Sequence, residues 1–368
     1  MRVGVIGAGF VGSSTALHLL RRGHRVTLLD ASTQAGSPAA ASFGNAGLFV
    51  PGFCVPIQAP SLPLRLPELL LRSDGPVAFA RPLSETMRWI TQPATVGWLL
   101  RFLSNCRPSK VEATTVALAA LLQGAEQGYQ IPFDCLSASD RVRAFGPDEG
   151  NAGCLWLSDT KRQADADADA RRKHGVKVDV LDAVALAAME PISVSDGMHG
   201  AFFPDAWHLA SPGALVQALA HGVARDAHGE LQVGTRAVSI AEREAGGVEV
   251  EVEVEHIACT EDFLVRNKRH RLQFDQVVVA CGARSGTLAA TLGDSIPLDT
   301  ERGYHLTFEW RGTDCGDEPS QRLTRAVGHS DLGFFVTPMR CPASGALQIR
   351  VAGTVELGGL HAPPNPER

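Results

Sequence analysis

The chain has 368 residues, is 45% hydrophobic, and sets 34 Lys and Arg against 40 Asp and Glu for a net charge of −6. That is enough length for two domains and enough apolar content for a sizeable core, which excludes disorder along the whole chain. The mild acidity excludes a general nucleic-acid footprint. The two short basic clusters, 171–174 and 266–271, each read as a solvated helix end or hairpin rather than a phosphate track.

From the N-terminus, Val3 to Ile6 reads as a buried strand running straight into a tight turn, so no signal peptide is expected and the fold is expected to begin at residue 2. A helix is predicted from Ser13 to Arg22, with Gly23 as its C-terminal glycine, and a second strand from Val26 to Leu29. Strand, helix and strand in so short a span predict a parallel pair with a right-handed crossover. Residues 31–82 are rich in Pro, Gly and Ser and read as a long loop, of the kind that is functional or disordered. Helical patterns follow over 84–129 and again over Val180 to Met189. The tract Ala164 to Ala170, alternating Ala and Asp, reads as a solvated surface segment. Ser211-Pro212 opens a helix over 209–228. The alternation Val248 to Glu255 predicts a two-faced antiparallel strand, Leu272 to Cys281 a further strand, and 303–310 and 333–356 the last ones.

The eight cysteines show neither a C-x-x-C spacing nor a zinc-type His partner, so free thiols in a reducing compartment and no metal site are predicted. No apolar run reaches the roughly 18 residues of a spanning helix.

Gly7-Ala-Gly9-Phe10-Val11-Gly12 is G-x-G-x-x-G between a predicted strand and a predicted helix, the context that the motif requires for a dinucleotide. Gly7 allows the tight turn, Gly9 the approach of a pyrophosphate, and Gly12 close helix–sheet packing. The helix N-terminus offers N–H groups to the anion. Asp30 ends the second strand, where a carboxylate can bind ribose, and an acid there with no Arg beside it disfavours NADP. After Asp30 the β-α alternation stops, and a parallel-type strand returns only at Val277 to Gly282. An interrupted nucleotide domain of this kind suits a flavoprotein. A nicotinamide dehydrogenase remains an alternative, although no Cys or Lys stands in a recognisable catalytic context.

Val5 to Gly12, His24 to Asp30, Ser42-Phe-Gly-Asn-Ala-Gly47, Val277 to Ser285, Arg302-Gly-Tyr-His-Leu306 and Arg350-Val-Ala-Gly-Thr-Val-Glu356 together resemble the bacterial D-amino-acid dehydrogenases of the D-amino-acid oxidase/glycine oxidase group. The last stretch, with Ala362-Pro-Pro-Asn365, is similar to the subgroup that acts on cyclic D-amino acids such as D-hydroxyproline. The resemblance implies an α/β chain: an interrupted Rossmann-type FAD-binding domain (1–50 and 200–300), a mixed α+β substrate domain (51–199 and 301–356) and a Pro-rich tail (357–368). It implies that Gly7, Gly9, Phe10, Val11 and Gly12 cradle the FAD pyrophosphate and that Asp30 binds its ribose. Ser42, Asn45, Ala46, Gly47 and Leu48 would lie along the flavin, Ala237 near the adenine, and Tyr304 and Phe335 toward the substrate.

The implied reaction is hydride transfer from the Cα of a D-amino acid to flavin N5, giving an imino acid that hydrolyses to a 2-oxo acid. No acid–base residue is assigned, and His305 reads as structural. The family's Arg-Pro motif, which supplies the carboxylate-binding arginine, and its Gly-His-Gly turn are absent from these residues. The chain is therefore expected to lack the family's C-terminal segment, and a catalytically impaired flavoprotein is a second alternative. The resemblance also implies a respiratory quinone or other electron acceptor and a cytoplasmic location. Peripheral contact with the inner membrane face would run through the leucines of 51–82.

Overall fold

The computed structural model describes residues 1–56, 60, 62–64, 77–79, 83–147, 153–190, 197–254, 268–310, 322–330, 332–357, 359–360 and 363–365. In chain order its principal elements are β1 (Arg2–Ile6), α1 (Phe10–Arg21), β2 (Arg25–Leu29), β3 (Leu48–Phe49), β4 (Val77–Phe79), α2 (Leu83–Ile90), α3 (Pro93–Asn105) and α4 (Pro108–Gly128). Then come β5 (Cys154–Ser158), α5 (Lys161–Arg172), β6 (Asp179–Leu181), α6 (Ala183–Met189), β7 (His199–Phe203), β8 (Trp207–His208) and α7 (Pro212–Arg225). They are followed by β9 (Gly229–Gln232), β10 (Thr235–Glu242), β11 (Val248–Val254), β12 (Lys268–Phe274), β13 (Gln276–Val279), β14 (Glu301–Glu309), β15 (Ala326–His329), β16 (Phe334–Arg340) and β17 (Leu347–Leu357).

The chain forms two compact units, one of residues 1–44, 128–144 and 212–299, the other of 45–127, 145–211 and 300–368. The first is built on a four-stranded sheet in the order β13-β1-β2-β9, all of it parallel. The predicted crossover is α1, and Gly23 ends it in the left-handed region, at φ +81°. Val3, Val5, Val26 and Leu28 are each at most 2% exposed, on the face that α1 and α7 cover. The opposite face, with Ile6 and Leu29, packs on Ile240, Val250, Val252 and Phe274 of the antiparallel sheet β10-β11-β12. The predicted alternation holds in β11: its valines point into this core, while Glu249 and Glu253 pair outward with Arg271 and Arg269 at 3.1 and 3.7 Å.

The strand predicted over 272–281 is two strands in different sheets. Asp275 divides them, its Oδ2 accepting the Arg2 N–H at 2.7 Å and its own N–H donating to the Arg2 carbonyl at 2.9 Å.

The second unit holds a mixed eight-stranded sheet in the order β14-β17-β16-β15-β5-β7-β6, with β4 paired to β17. Residues 200–211, predicted with the nucleotide domain, group here because β7 pairs with β5 and β6. Residues 45–50 do so because β3 pairs with β8. Conversely 128–144 joins the first unit. Tyr129 meets Phe10 edge to face at 5.8 Å, and the Arg225 guanidinium reaches Asp140 at 3.3 Å.

Three further expectations are corrected. The helix predicted from Val180 begins only at Ala183, because Val180 and Leu181 pair with β7 and the Asp182 side chain caps the helix through the Ala185 N–H at 2.9 Å. The Ala/Asp tract is α5. Ala164 and Ala168, one turn apart, are fully buried, while the Asp165 and Asp169 side chains face water. Arg171 ends that face and is only 7% exposed. Its Nε donates to the Gly52 carbonyl at 2.9 Å and its guanidinium lies over the rings of Phe53 and Phe203. The basic cluster there is thus partly core. The leucine-rich 51–82 segment falls largely outside the described residues.

Candidate functional site

In the first unit the glycines meet the demands of the turn. Gly7 has φ +106°, and a Cβ on Gly12 would stand 1.8 Å from the Gly7 carbonyl oxygen. Gly9 is the N-cap of α1 and supplies no side-chain cap, and no acid stands in the first turn. The N-terminus of α1 therefore keeps its positive field and leaves room for an anion. The Phe10 N–H donates to Ser42 Oγ at 3.1 Å, and Val11 is 68% exposed.

Asp30 is locked beside this turn. Its Oδ2 accepts the Ala8 N–H at 2.7 Å and its Oδ1 the Ser32 N–H at 2.8 Å. Each oxygen retains acceptor capacity for a ribose hydroxyl. The donor set fits a dinucleotide: amides and a helix end for the diphosphate, an oriented carboxylate for the sugar. Ala237 lies in β10 at a β-bulge, where the pairing with β11 shifts register, and packs on the unit's core.

In the second unit the Asn45–Leu48 stretch is tightly held. Asn45 Oδ1 accepts the Gly47 N–H at 2.7 Å, Gly47 has φ +68°, and the Gly47 carbonyl accepts the Leu209 N–H at 2.7 Å. Leu48 then enters β3. Ala46 is half-buried and Gly47 buried.

The sheet beside this stretch separates its polar residues by one backbone irregularity. Tyr304 pairs with Thr354, but His305 pairs with Ala352, so Gly353, at φ +142°, is an extra residue in β17. One face therefore carries Arg302, Tyr304 and Glu356, and the other carries His305, Thr307 and Arg350, with Phe335 and Thr337 alongside on β16. Of the two residues predicted to face the substrate, Tyr304 and Phe335, each lies on a different face. Tyr304 donates its hydroxyl hydrogen to Glu356 Oε1 at 3.0 Å and accepts the Asn365 N–H at 2.8 Å. Phe335 packs on Phe53 and Trp156, with ring centroids 5.6 and 5.2 Å away.

Arg350 and Glu356 had no role from sequence. The signal for both is a charged residue within an apolar strand. Glu356 is 1% exposed and takes Arg302 Nη1 at 3.2 Å. Arg350 is 7% exposed. Its Nη1 donates to the Asn45 carbonyl at 3.0 Å and its Nε to Thr307 Oγ1 at 3.2 Å. Burial, and then the charge of Arg350, hold the His305 imidazole below its ordinary range.

No thiol is primed as a nucleophile at either place. Burial drives Cys154 up to about 12. Burial and the Asp30 charge push Cys281 up to about 11. Among the described residues no group of three or more His, Cys, Asp or Glu could hold a metal ion, and no helix is long and apolar enough to cross a membrane.

A parallel sheet opened by a glycine turn, an uncapped helix end and a strand-terminal carboxylate define a dinucleotide-binding α/β protein. The profile of one family, the DAO family of FAD dependent oxidoreductases, matches residues 2–368. A D-amino-acid oxidase of Bradyrhizobium diazoefficiens is 32% identical over 374 residues, covering 100% of this chain and 76% of that protein. A D-amino acid dehydrogenase of a Methylobacterium species is 29% identical over 369 residues, covering 98% and 76%. The solved glycine oxidase of Bacillus cereus superposes with a TM-score of 0.58 at 17% identity, covering 100% of this chain and 74% of that one, and shares the fold. The chain belongs to the DAO family. It is an FAD-dependent oxidoreductase, and the nicotinamide alternative is set aside.

Proposed function

We propose that the chain oxidises a D-amino acid, removing hydride from Cα to give an imino acid that hydrolyses to a 2-oxo acid. The observation that carries this reading is similarity, over 98–100% of this chain and 76% of the relatives' length, to proteins named D-amino-acid oxidase and D-amino acid dehydrogenase. FAD supplies the two-electron acceptor when bound. The chain's part is to hold and orient it. The amides of Gly9 to Gly12 and the α1 N-terminus would take the diphosphate, and Asp30 the ribose. Ser42, Asn45, Ala46, Gly47 and Leu48 would border the ring system, and Ala237 the adenine.

On the second unit, the face with His305, Thr307, Arg350 and Phe335 is polar beside an aromatic cluster, a surface suited to an amino acid with an apolar side chain. Burial and then Arg350 lower the His305 imidazole from its ordinary range, which disfavours a positive charge facing the substrate's amino group. Oxidation of the substrate needs that amine neutral, because its lone pair must become the imine bond. Tyr304, on the opposite face, would act on the substrate side only through the 363–365 segment it holds. The electron acceptor would be a respiratory quinone or another electron acceptor, reached from a peripheral position on the membrane or from the cytoplasm.

The test is the flavin spectrum. The purified chain, reconstituted with FAD if needed, should be yellow, and D-proline or D-alanine should bleach it without oxygen while the L-enantiomers do not. A chain that cannot be loaded with FAD sinks the cofactor assignment for these residues. A loaded chain that no D-amino acid bleaches sinks the substrate assignment.

A further inference from the structure

The sequence left Arg350 without a role, and the fold gives it one of the more constrained positions in the second unit. Arginine is rarely this buried unless its donors are used. Here two donors are spent on opposite sides. Nε is tied within the sheet to Thr307 Oγ1 at 3.2 Å, the residue directly across the ladder. Nη1 leaves the sheet and donates to the Asn45 carbonyl at 3.0 Å.

Asn45 is itself the start of a closed turn, since its side chain holds the Gly47 N–H at 2.7 Å. The guanidinium therefore grips the backbone of the Asn-Ala-Gly turn from the sheet side. Thr337, directly opposite Arg350 on β16, is fully buried, and its hydroxyl has no partner among the described residues. The guanidinium itself is thus largely out of water, with Arg350 7% exposed. A guanidinium stays charged in such a place, and its field is screened far less than at the surface.

We propose that Arg350 is a positioning residue for the flavin. It fixes the Asn45–Leu48 turn against the sheet and sets a buried positive charge behind the ring that this turn borders, which raises the flavin's affinity for electrons. The proposal rests on the reading that Asn45 to Leu48 lie along the flavin. The physical basis is direct. A ring that gains electrons gains negative charge, and a fixed cation beside it favours the reduced form over the oxidised one, as charge near a flavin's reactive nitrogens does generally.

Sulfite binding and the midpoint potential of the loaded flavin test this without any substrate. Sulfite adds to oxidised flavin and leaves negative charge on the ring, so its affinity reads the local field. R350Q should bind sulfite at least tenfold more weakly and have a potential lower by about 30 mV or more, the equivalent of a tenfold change in a two-electron couple. R350K, which keeps charge without the forked grip, should stay within threefold of wild type. T307V, which removes only the Nε acceptor, should also stay within threefold. An FAD-loaded R350Q within twofold of wild type in sulfite affinity overturns the proposal. Should R350Q not hold FAD, R350K decides: a tenfold loss with the charge retained overturns the electrostatic role. A wild-type chain that binds sulfite but is bleached by no D-amino acid would refute the substrate reading and leave this inference standing.

Discussion

Replacing Gly12 by alanine tests the physical account of the nucleotide turn most directly. The added Cβ would lie 1.8 Å from the Gly7 carbonyl oxygen and 3.3 Å from the Ala280 Cβ, where contacts under 3.0 Å do not occur. The gap to the carbonyl must open by ~1.2 Å, and no rotamer can relieve it because the obstacle is backbone. Overpacking of this kind costs about 1–3 kcal/mol. The clash falls on the turn itself, so the upper end applies, which is roughly a hundredfold in an equilibrium constant. The strain acts on the same atoms that would receive the diphosphate, so stability and flavin retention should fall together. Gly23 is the control. It has φ +81° with nothing within 4 Å of an added Cβ, so G23A should cost about 1–2 kcal/mol from the left-handed conformation alone and leave flavin content unchanged. Urea unfolding gives the first quantity, and the flavin-to-protein absorbance ratio gives the second. A G12A protein as stable as G23A, with wild-type flavin content, would show that the close approach of helix and turn does not carry the binding.

Three other outcomes follow from the second unit. Glu190 is fully buried and takes the Thr324 N–H and hydroxyl and the Arg325 Nε at 3.2, 2.7 and 3.3 Å. E190A should cost about 3–5 kcal/mol in urea, because it removes the buried carboxylate that faces the largely buried Arg325 cation, whereas a loss under 1 kcal/mol would contradict that account. His305 is held below the ordinary imidazole value of about 6.5, by burial first and Arg350 second. The unfolded chain therefore takes up its proton first as pH falls. The stability it contributes is complete above about 6.5 and is lost as pH drops through the lower folded value. H305Q should flatten the stability–pH curve in that window, and an unchanged slope would refute the assignment. Cys341 is held below its ordinary value by hydrogen bonds from Ser344. In a C259S/C315S background, mass spectrometry after brief iodoacetamide treatment at pH 8 should find Cys341 labelled first and Cys154 last. Early labelling of Cys154 would show that strand β5 opens readily.

The nucleotide turn was legible in the sequence because its demands are local. Gly7, Gly9 and Gly12 sit within one turn of chain, and backbone geometry alone decides which residues fit there. Asp30 was legible for the same reason, being the residue that follows a strand whose apolar run ends at Leu29. Alternation told β11 apart because one of its faces is core and the other is water. The Ala/Asp tract misled because its composition looks solvated at every position, and only a helix resting on the core tells Ala164 and Ala168 from the rest. Val180 and Leu181 misled because two apolar residues join a helix or a strand equally well until β7 supplies the partner.

By itself, then, the sequence determined the kind of cofactor end this protein builds and the family to which it belongs, since both are written in short contiguous motifs. Tertiary structure alone decided the length-spanning features. It put Arg350 against Asn45, 305 positions away. Through a single extra residue at Gly353, it put Arg350 and Glu356 on opposite faces. A side chain's face depends on strand register, and register is set by partners distant in the chain. The length that first suggested two domains is in fact used by crossing back and forth: the two units are each assembled from three separate stretches. No window of sequence contains such a neighbourhood, and only the folded chain brings it together.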